Sequence, residues 1–169
     1  MKKIGIFGGS FNPPHLGHLI LAERIVEKLK LDKLIFIPAH IPPHKKKSSI
    51  IDPIHRTKML KLSISGKKYF DISDIEIKRG GTSFTYDTLL ELHKKYKVTL
   101  FYLVIGEDNF KDFCYWKNYK QIFKLAQVVV IKRAVDPENL QLKMSSGADE
   151  DCMSKTNKEI TKKQFIFVD

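Results

Sequence analysis

"KKIGIFGGSFNPPHLGHLILAERIVEKLK", residues 2–30, carries three physical patterns in succession. "KKIGIFGG" reads as a short buried strand, apolar at Ile4, Ile6 and Phe7, that ends in a glycine-rich turn. From Leu19 through Ala22, Val26 and Leu29 the apolar residues recur at helical spacing, with Glu23, Arg24, Glu27 and Lys28 on the other face. The order is strand, loop, amphipathic helix.

The same alternation continues along the chain. "KLIFIP" gives a second strand closed by Pro38, and "AHIPPHKKKSSIIDP" has the proline and polar content of a long loop. "IHRTKMLKLSI" reads as a helix, and "YFDISDIEIKRGG" alternates as a strand ending at Gly80 and Gly81. "TYDTLLELHKKY" is a helix that Thr85 is expected to cap, followed by strand "VTLFYLVIG", helix "WKNYKQIFKLA" and strand "QVVVIKR". Strands that are nearly continuously apolar and separated by helices predict an α/β fold, a doubly wound parallel sheet covered on both faces. Ligands of such sheets lie at the carboxyl ends of the strands, near the reversal of strand order. The loops at residues 8–18, 38–47 and 106–116 all fall there. Residues 1–169 are expected to form one domain, with 134–163 a polar surface excursion and "QFIFVD" a last strand.

Composition narrows the classes of function. The apolar runs stop short of the roughly 18 residues that a membrane span needs, and Gly8, Gly9 and Asn12 interrupt any signal-peptide core, so a cytoplasmic location is expected. Cys114 and Cys152 fit neither a disulfide framework nor a zinc site, and free thiols are expected. The net charge of +11 raises the question of nucleic acid. The positive charge is nearly all lysine, spread along the chain, with Arg24, Arg56, Arg79 and Arg133 its only arginines. That pattern fits a solvated surface better than a nucleic-acid footprint, where arginine forks dominate.

Within residues 5–18, four glycines, two prolines and two histidines fill fourteen positions. A glycine-rich turn between strand and helix lets backbone N–H groups approach phosphate oxygens, and the helix N-terminus adds a favourable dipole. Neither GK[ST] nor G-x-G-x-x-G is present, so the glycines alone fit a structural turn equally well. His15 and His18, three residues apart at the helix start, can face one direction. Two imidazoles beside a phosphate can donate hydrogen bonds to oxygens whose charge grows in a transition state.

"GGSFNPPHLGH" resembles the signature of the nucleotidyltransferase superfamily, whose HxGH motif is matched by His15, Leu16, Gly17 and His18. "IPAHIPPHK" (37–45), "SFTYDTL" (83–89) and "IGEDNFKDFCYW" (105–116) are similar to further motifs of the bacterial nicotinate-nucleotide adenylyltransferases, in order, through about residue 133. The resemblance implies a Rossmann-like nucleotidyltransferase fold and adenylyl transfer from ATP to nicotinate mononucleotide, giving nicotinic acid adenine dinucleotide and pyrophosphate. It implies direct attack by the mononucleotide 5′-phosphate on the α-phosphorus of ATP, with no covalent enzyme intermediate.

The roles implied by the resemblance are as follows. His15 and His18 hold ATP phosphates in catalysis; Gly8, Gly9, Ser10 and Phe11 contact nucleotide and phosphate, and Lys45 reaches phosphate. Gly106 and Asp108 lie where a carboxylate accepts bonds from ribose hydroxyls, and Thr85 and Trp116 contact the nicotinate side, Trp116 by stacking. Mg²⁺ accompanies ATP, held mainly by phosphate and water, with no protein ligand named. Arg56 fits either a structural or an electrostatic role. Phe84 and Glu107 depart from the tyrosine and alanine common in relatives. The family's C-terminal ISSTxIR signature has no match: "KMSSGADED" has Ser145 and Ser146 but not the threonine and arginine, so either a truncated chain or a divergent protein with an incomplete phosphate site is expected. Homo-oligomers are compatible with the resemblance. Another small adenylyltransferase, such as phosphopantetheine adenylyltransferase, and a non-catalytic nucleotide- or nucleic-acid-binding relative stay open as alternatives.

Overall fold

The computed structural model describes residues 1–43, 49–131 and 165–168. Lys45, Arg133, Ser145, Ser146, Cys152 and the expected excursion at 134–163 lie outside them. Strand β1 (Lys2–Gly9) leads through the glycine-rich loop to helix α1 (Leu16–Leu29), then strand β2 (Lys33–Pro38) and helix α2 (Pro53–Ser63). β3 (Phe70–Ile72), α3 (Ile75–Arg79), α4 (Thr85–Lys95) and β4 (Thr99–Gly106) follow. α5 (Glu107–Lys111), a 3₁₀ turn at Phe113–Tyr115, α6 (Tyr119–Leu125), β5 (Gln127–Ile131) and β6 (Phe165–Val168) complete the elements.

The strands form one sheet in the order β3-β2-β1-β4-β5-β6, and every adjacent pair is parallel. This is the expected doubly wound sheet. The order reverses between β1 and β4, whose register pairs Phe7 with Val104, so the loop after Gly9 and the turn after Gly106 open side by side.

Period-two alternation along buried strands supplies both faces. Ile4, Ile6, Ile35, Ile37, Leu103 and Val128 join Leu89 and Leu92 of α4 and Ile122 of α6 on one side. Phe7, Leu34, Phe36, Val104 and Val129 join Ala22 and Ile25 of α1 and Leu60 of α2 on the other. Each strand therefore needs apolar side chains at successive positions, which is why its sequence reads as a continuous run.

Three local expectations are corrected. "YFDISDIEIKRGG" is not one strand: only Phe70–Ile72 pairs with β2, and Ile75–Arg79 is a helical turn. β2 ends at Pro38, which has no N–H to extend the ladder, and Glu76 is drawn inward by a side-chain contact with α4. Thr85 is the first residue of α4, not its cap; Phe84 occupies the cap position without a side-chain bond. The segment 106–116 is a short helix and a 3₁₀ turn rather than a loop.

Candidate active site

α1 begins directly after the glycine-rich loop, with His15 in extended backbone at the cap position and His18 one turn inside. The His15 backbone N–H donates to His18 Nδ1 at 3.2 Å, and the two rings lie 3.7 Å apart. A ring nitrogen that accepts carries no proton, so neutral His18 holds its proton on Nε2 and presents a donor there. Phe11 packs edge-on to the His18 ring at 5.1 Å, and Phe7 lies at 6.1 Å. Burial, followed by the neighbouring His15, pushes His18 down to about 4, against a smaller opposing contribution from the His15 backbone.

Two glycines flanking the loop are crowded by this packing. A Cβ on Gly9 would sit 3.0 Å from the Phe11 ring, and one on Gly17 would sit 3.1 Å from His15 Nδ1. Phe11 itself has a positive φ of 44° and is buried, a backbone state a bulky residue adopts only when its surroundings hold it.

One cleft of about 750 Å³ opens at the switch point. Its volume is in the range of small-ligand sites. Gly8, Gly9, Ser10, Phe11, His15 and His18 line one rim, Gly106 and Asp108 the end of β4, and Thr85 and Trp116 the opposite rim. Every candidate residue within the described part of the chain thus meets in one space, and Lys45 lies outside that part. Trp116 packs on Phe113 at 5.2 Å, and its buried Nε1 has no partner among the described residues.

Sequence reasoning missed several lining residues. His15, His18, Leu21 and Arg24 all line the cleft, Arg24 as an exposed side chain of α1. Glu76, 7% exposed, lines the second rim. It accepts from Thr88 Oγ1 at 2.6 Å, while Arg79 donates to Thr88 Oγ1 at 2.9 Å and to Glu91 at 2.8 Å. Burial raises the Glu76 carboxyl above its ordinary value, and the bonds from Thr88 and Ser83 and the charge of Arg79 oppose that. Lys117 also lines this rim, with its Nζ 2.8 Å from Asp87 and 5.0 Å from the Phe84 ring centroid. The alternation that suggested a strand hid Glu76.

Arg56 proves structural in position: fully buried on α2, it donates to four backbone carbonyls. Among the described residues, no group of three or more His, Cys, Asp or Glu side chains is arranged to hold a metal ion. No helix among them is long and apolar enough to cross a membrane.

This parallel sheet, with a His-bearing helix start at its switch point, is a nucleotidyltransferase arrangement. The chain belongs to the cytidylyltransferase-like family, whose model matches residues 6–157. Within that class it is a member of the nicotinate-nucleotide adenylyltransferase family. It is 46% identical over 133 residues to a Bacillus licheniformis protein named "Probable nicotinate-nucleotide adenylyltransferase", covering 79% of this chain and 70% of that one. It is 39% identical over 133 residues to the Bacillus subtilis nicotinate-nucleotide adenylyltransferase, with the same two coverages. A solved structure of Plasmodium falciparum nicotinic acid mononucleotide adenylyltransferase complexed with NaAD matches the fold with a TM-score of 0.74 at 18% identity. That match covers 99% of this chain and 75% of that one.

Proposed function

We infer that this protein transfers the adenylyl group of ATP to nicotinate mononucleotide, forming nicotinic acid adenine dinucleotide and pyrophosphate, a reaction of NAD biosynthesis. The observation that carries this reading is the convergence of the glycine-rich loop, His15, His18, Asp108, Thr85 and Trp116 on one cleft at the switch point of the sheet. An oxygen of the mononucleotide 5′-phosphate attacks the α-phosphorus of ATP. The bond from that phosphorus to the β-phosphate bridging oxygen breaks, and pyrophosphate leaves with the electron pair.

Catalysis is then positioning and charge stabilisation, and no side chain is required as a nucleophile. Gly8, Gly9, Ser10 and Phe11 provide the backbone against the nucleotide. His18 offers its Nε2–H to a phosphate oxygen while neutral, and His15 stacks beside it. Gly106 and Asp108 serve the ribose. Thr85 and Trp116 take the nicotinate side, the indole supplying a flat apolar face. Lys45 is assigned to phosphate by its place in the "IPPHK" motif. Mg²⁺ arrives on ATP and keeps phosphate and water as its main ligands. The expected setting is the cytoplasm, with small nucleotides as partners and no nucleic acid expected.

The test is pyrophosphate release with Mg²⁺, ATP and either nicotinate mononucleotide or its amide. Turnover with the acid preferred supports the assignment. No turnover, together with strongly salt-dependent oligonucleotide binding, would instead favour a non-catalytic basic binding protein.

A further inference from the structure

Arg56 is the largest fully buried side chain of the described residues, yet it lies on the first turn of α2, away from the cleft lining. A guanidinium in that position is costly unless its donors are met. Its Nε donates to Ile51 O at 2.8 Å, Nη1 to Ser10 O at 2.6 Å, and Nη2 to Ala39 O at 2.6 Å and to His40 O at 3.4 Å. One planar group therefore joins the glycine-rich loop, the end of β2 and the segment before α2. Beside it, the His40 N–H donates to Ser83 Oγ at 2.9 Å. A second tie runs parallel to it: Asn12 accepts from the Ile51 N–H at 3.0 Å.

The consequence for the loop is geometric. In a planar trans peptide the C=O and N–H point in opposite directions, so fixing Ser10 O toward Arg56 aims the Phe11 N–H away from the clamp. A carbonyl that accepts a charge-assisted bond also polarises the N–H of the same peptide unit. Phe11 at positive φ is the residue whose backbone most needs such a hold.

Building on the proposed function, we propose that Arg56 is a positioning residue for ATP: through the Ser10 carbonyl it sets the phosphate-facing backbone of the glycine-rich loop without touching the substrate. Lysine cannot replace it, since one ammonium cannot span the three directions that the guanidinium fork reaches.

The experiment is steady-state kinetics of Arg56→Lys beside the native chain, with cooperative melting checked first. The expected result is a folded variant whose kcat/KM for ATP falls about 100-fold, while KM for nicotinate mononucleotide stays within about twofold, the margin of such a comparison. A purely structural role would lower the melting temperature and leave the kinetic constants of the folded fraction near native, which overturns the proposal.

If the variant does not fold, the native chain decides the matter. Hydrogen exchange at the Arg56 Nε–H should slow about tenfold when Mg²⁺ and ATP are added, a change equivalent to tighter closure of the clamp, and nicotinate mononucleotide alone should leave it unchanged. Equal exchange with and without ATP overturns the proposal. A native chain that releases no pyrophosphate counts against the adenylyl-transfer reading, whereas native turnover with an unimpaired Arg56→Lys counts against the clamp alone.

Discussion

On one rim of the cleft, His15 and His18 are held by residues within a single continuous stretch: a backbone bond three residues away, Gly17 making room for the His15 ring, and Phe7 and Phe11 against His18. On the other rim, the polar side chains rest on contacts between separate helices. Glu76 of α3 is fixed by Thr88 of α4, and Arg79 reaches Thr88 and Glu91. The histidine pair combines apolar packing with one short polar link. The second rim depends on a buried polar chain that stabilises only while every member is satisfied. The difference teaches that the two imidazoles are placed by near neighbours, whereas Glu76 and Thr88 on the other rim are placed by contacts between separate helices.

The largest expected effect comes from breaking the local rim. His18→Ala should lower kcat by about 100- to 1,000-fold, the range for losing one donor to developing charge, with the circular dichroism spectrum and cooperative melting preserved. An unchanged rate would remove His18 from the mechanism. On the assembled rim, Trp116→Ala should raise KM for nicotinate mononucleotide by about 10- to 100-fold, from the ~1–3 kcal/mol of a ring-stacking contact, while KM for ATP moves little. A matching rise in both constants would show that the cavity collapsed as a whole.

A smaller effect should come from Thr88→Val, which keeps the shape of the side chain and deletes the hydroxyl between Glu76 and Arg79. Leaving a buried carboxylate without that donor costs about 1–3 kcal/mol. Denaturant melts should show the loss, and a stability within error of native would mean that Ser83 and Arg79 suffice without the hydroxyl.

The smallest separates the rims by pH. Between pH 6.5 and about 4 the unfolded chain protonates His18 while the native state keeps it neutral. The unfolded state binds more protons there, so this residue makes the fold less stable as pH falls through that window. Glu76 acts in the opposite direction: its raised native pKa makes the native state bind more protons above the ordinary value of 4.5, so its contribution erodes as pH rises. Melts of His18→Ala and Glu76→Gln across this range should lose slopes of opposite sign. Slopes of the same sign would contradict the protonation states assigned to the two rims.

Much of this was legible in the chain because it depends on near neighbours. The run of Ile4, Ile6 and Phe7 before Gly8 and Gly9, and the spacing of Ala22, Val26 and Leu29, led to the doubly wound sheet with its site after the first strand. His15 and His18 were found by their spacing at a helix start. Glu76 was misplaced in a strand, because "DISDIEI" alternates as a strand would and only Pro38 and the Thr88 contact decide otherwise. Thr85 suits a cap by residue type, yet the chain enters α4 one residue earlier.

The sequence by itself determined the strand and helix order, the glycine-rich loop and the paired imidazoles, since each follows from steric and hydrophobic patterns spanning a few turns. Only the tertiary structure decided the burial that keeps His18 neutral, the place of Glu76 and the destination of Arg56. Burial and hydrogen-bond partners fix a protonation state or a guanidinium's role, and those partners stand up to 46 residues away, as Ser10 does from Arg56.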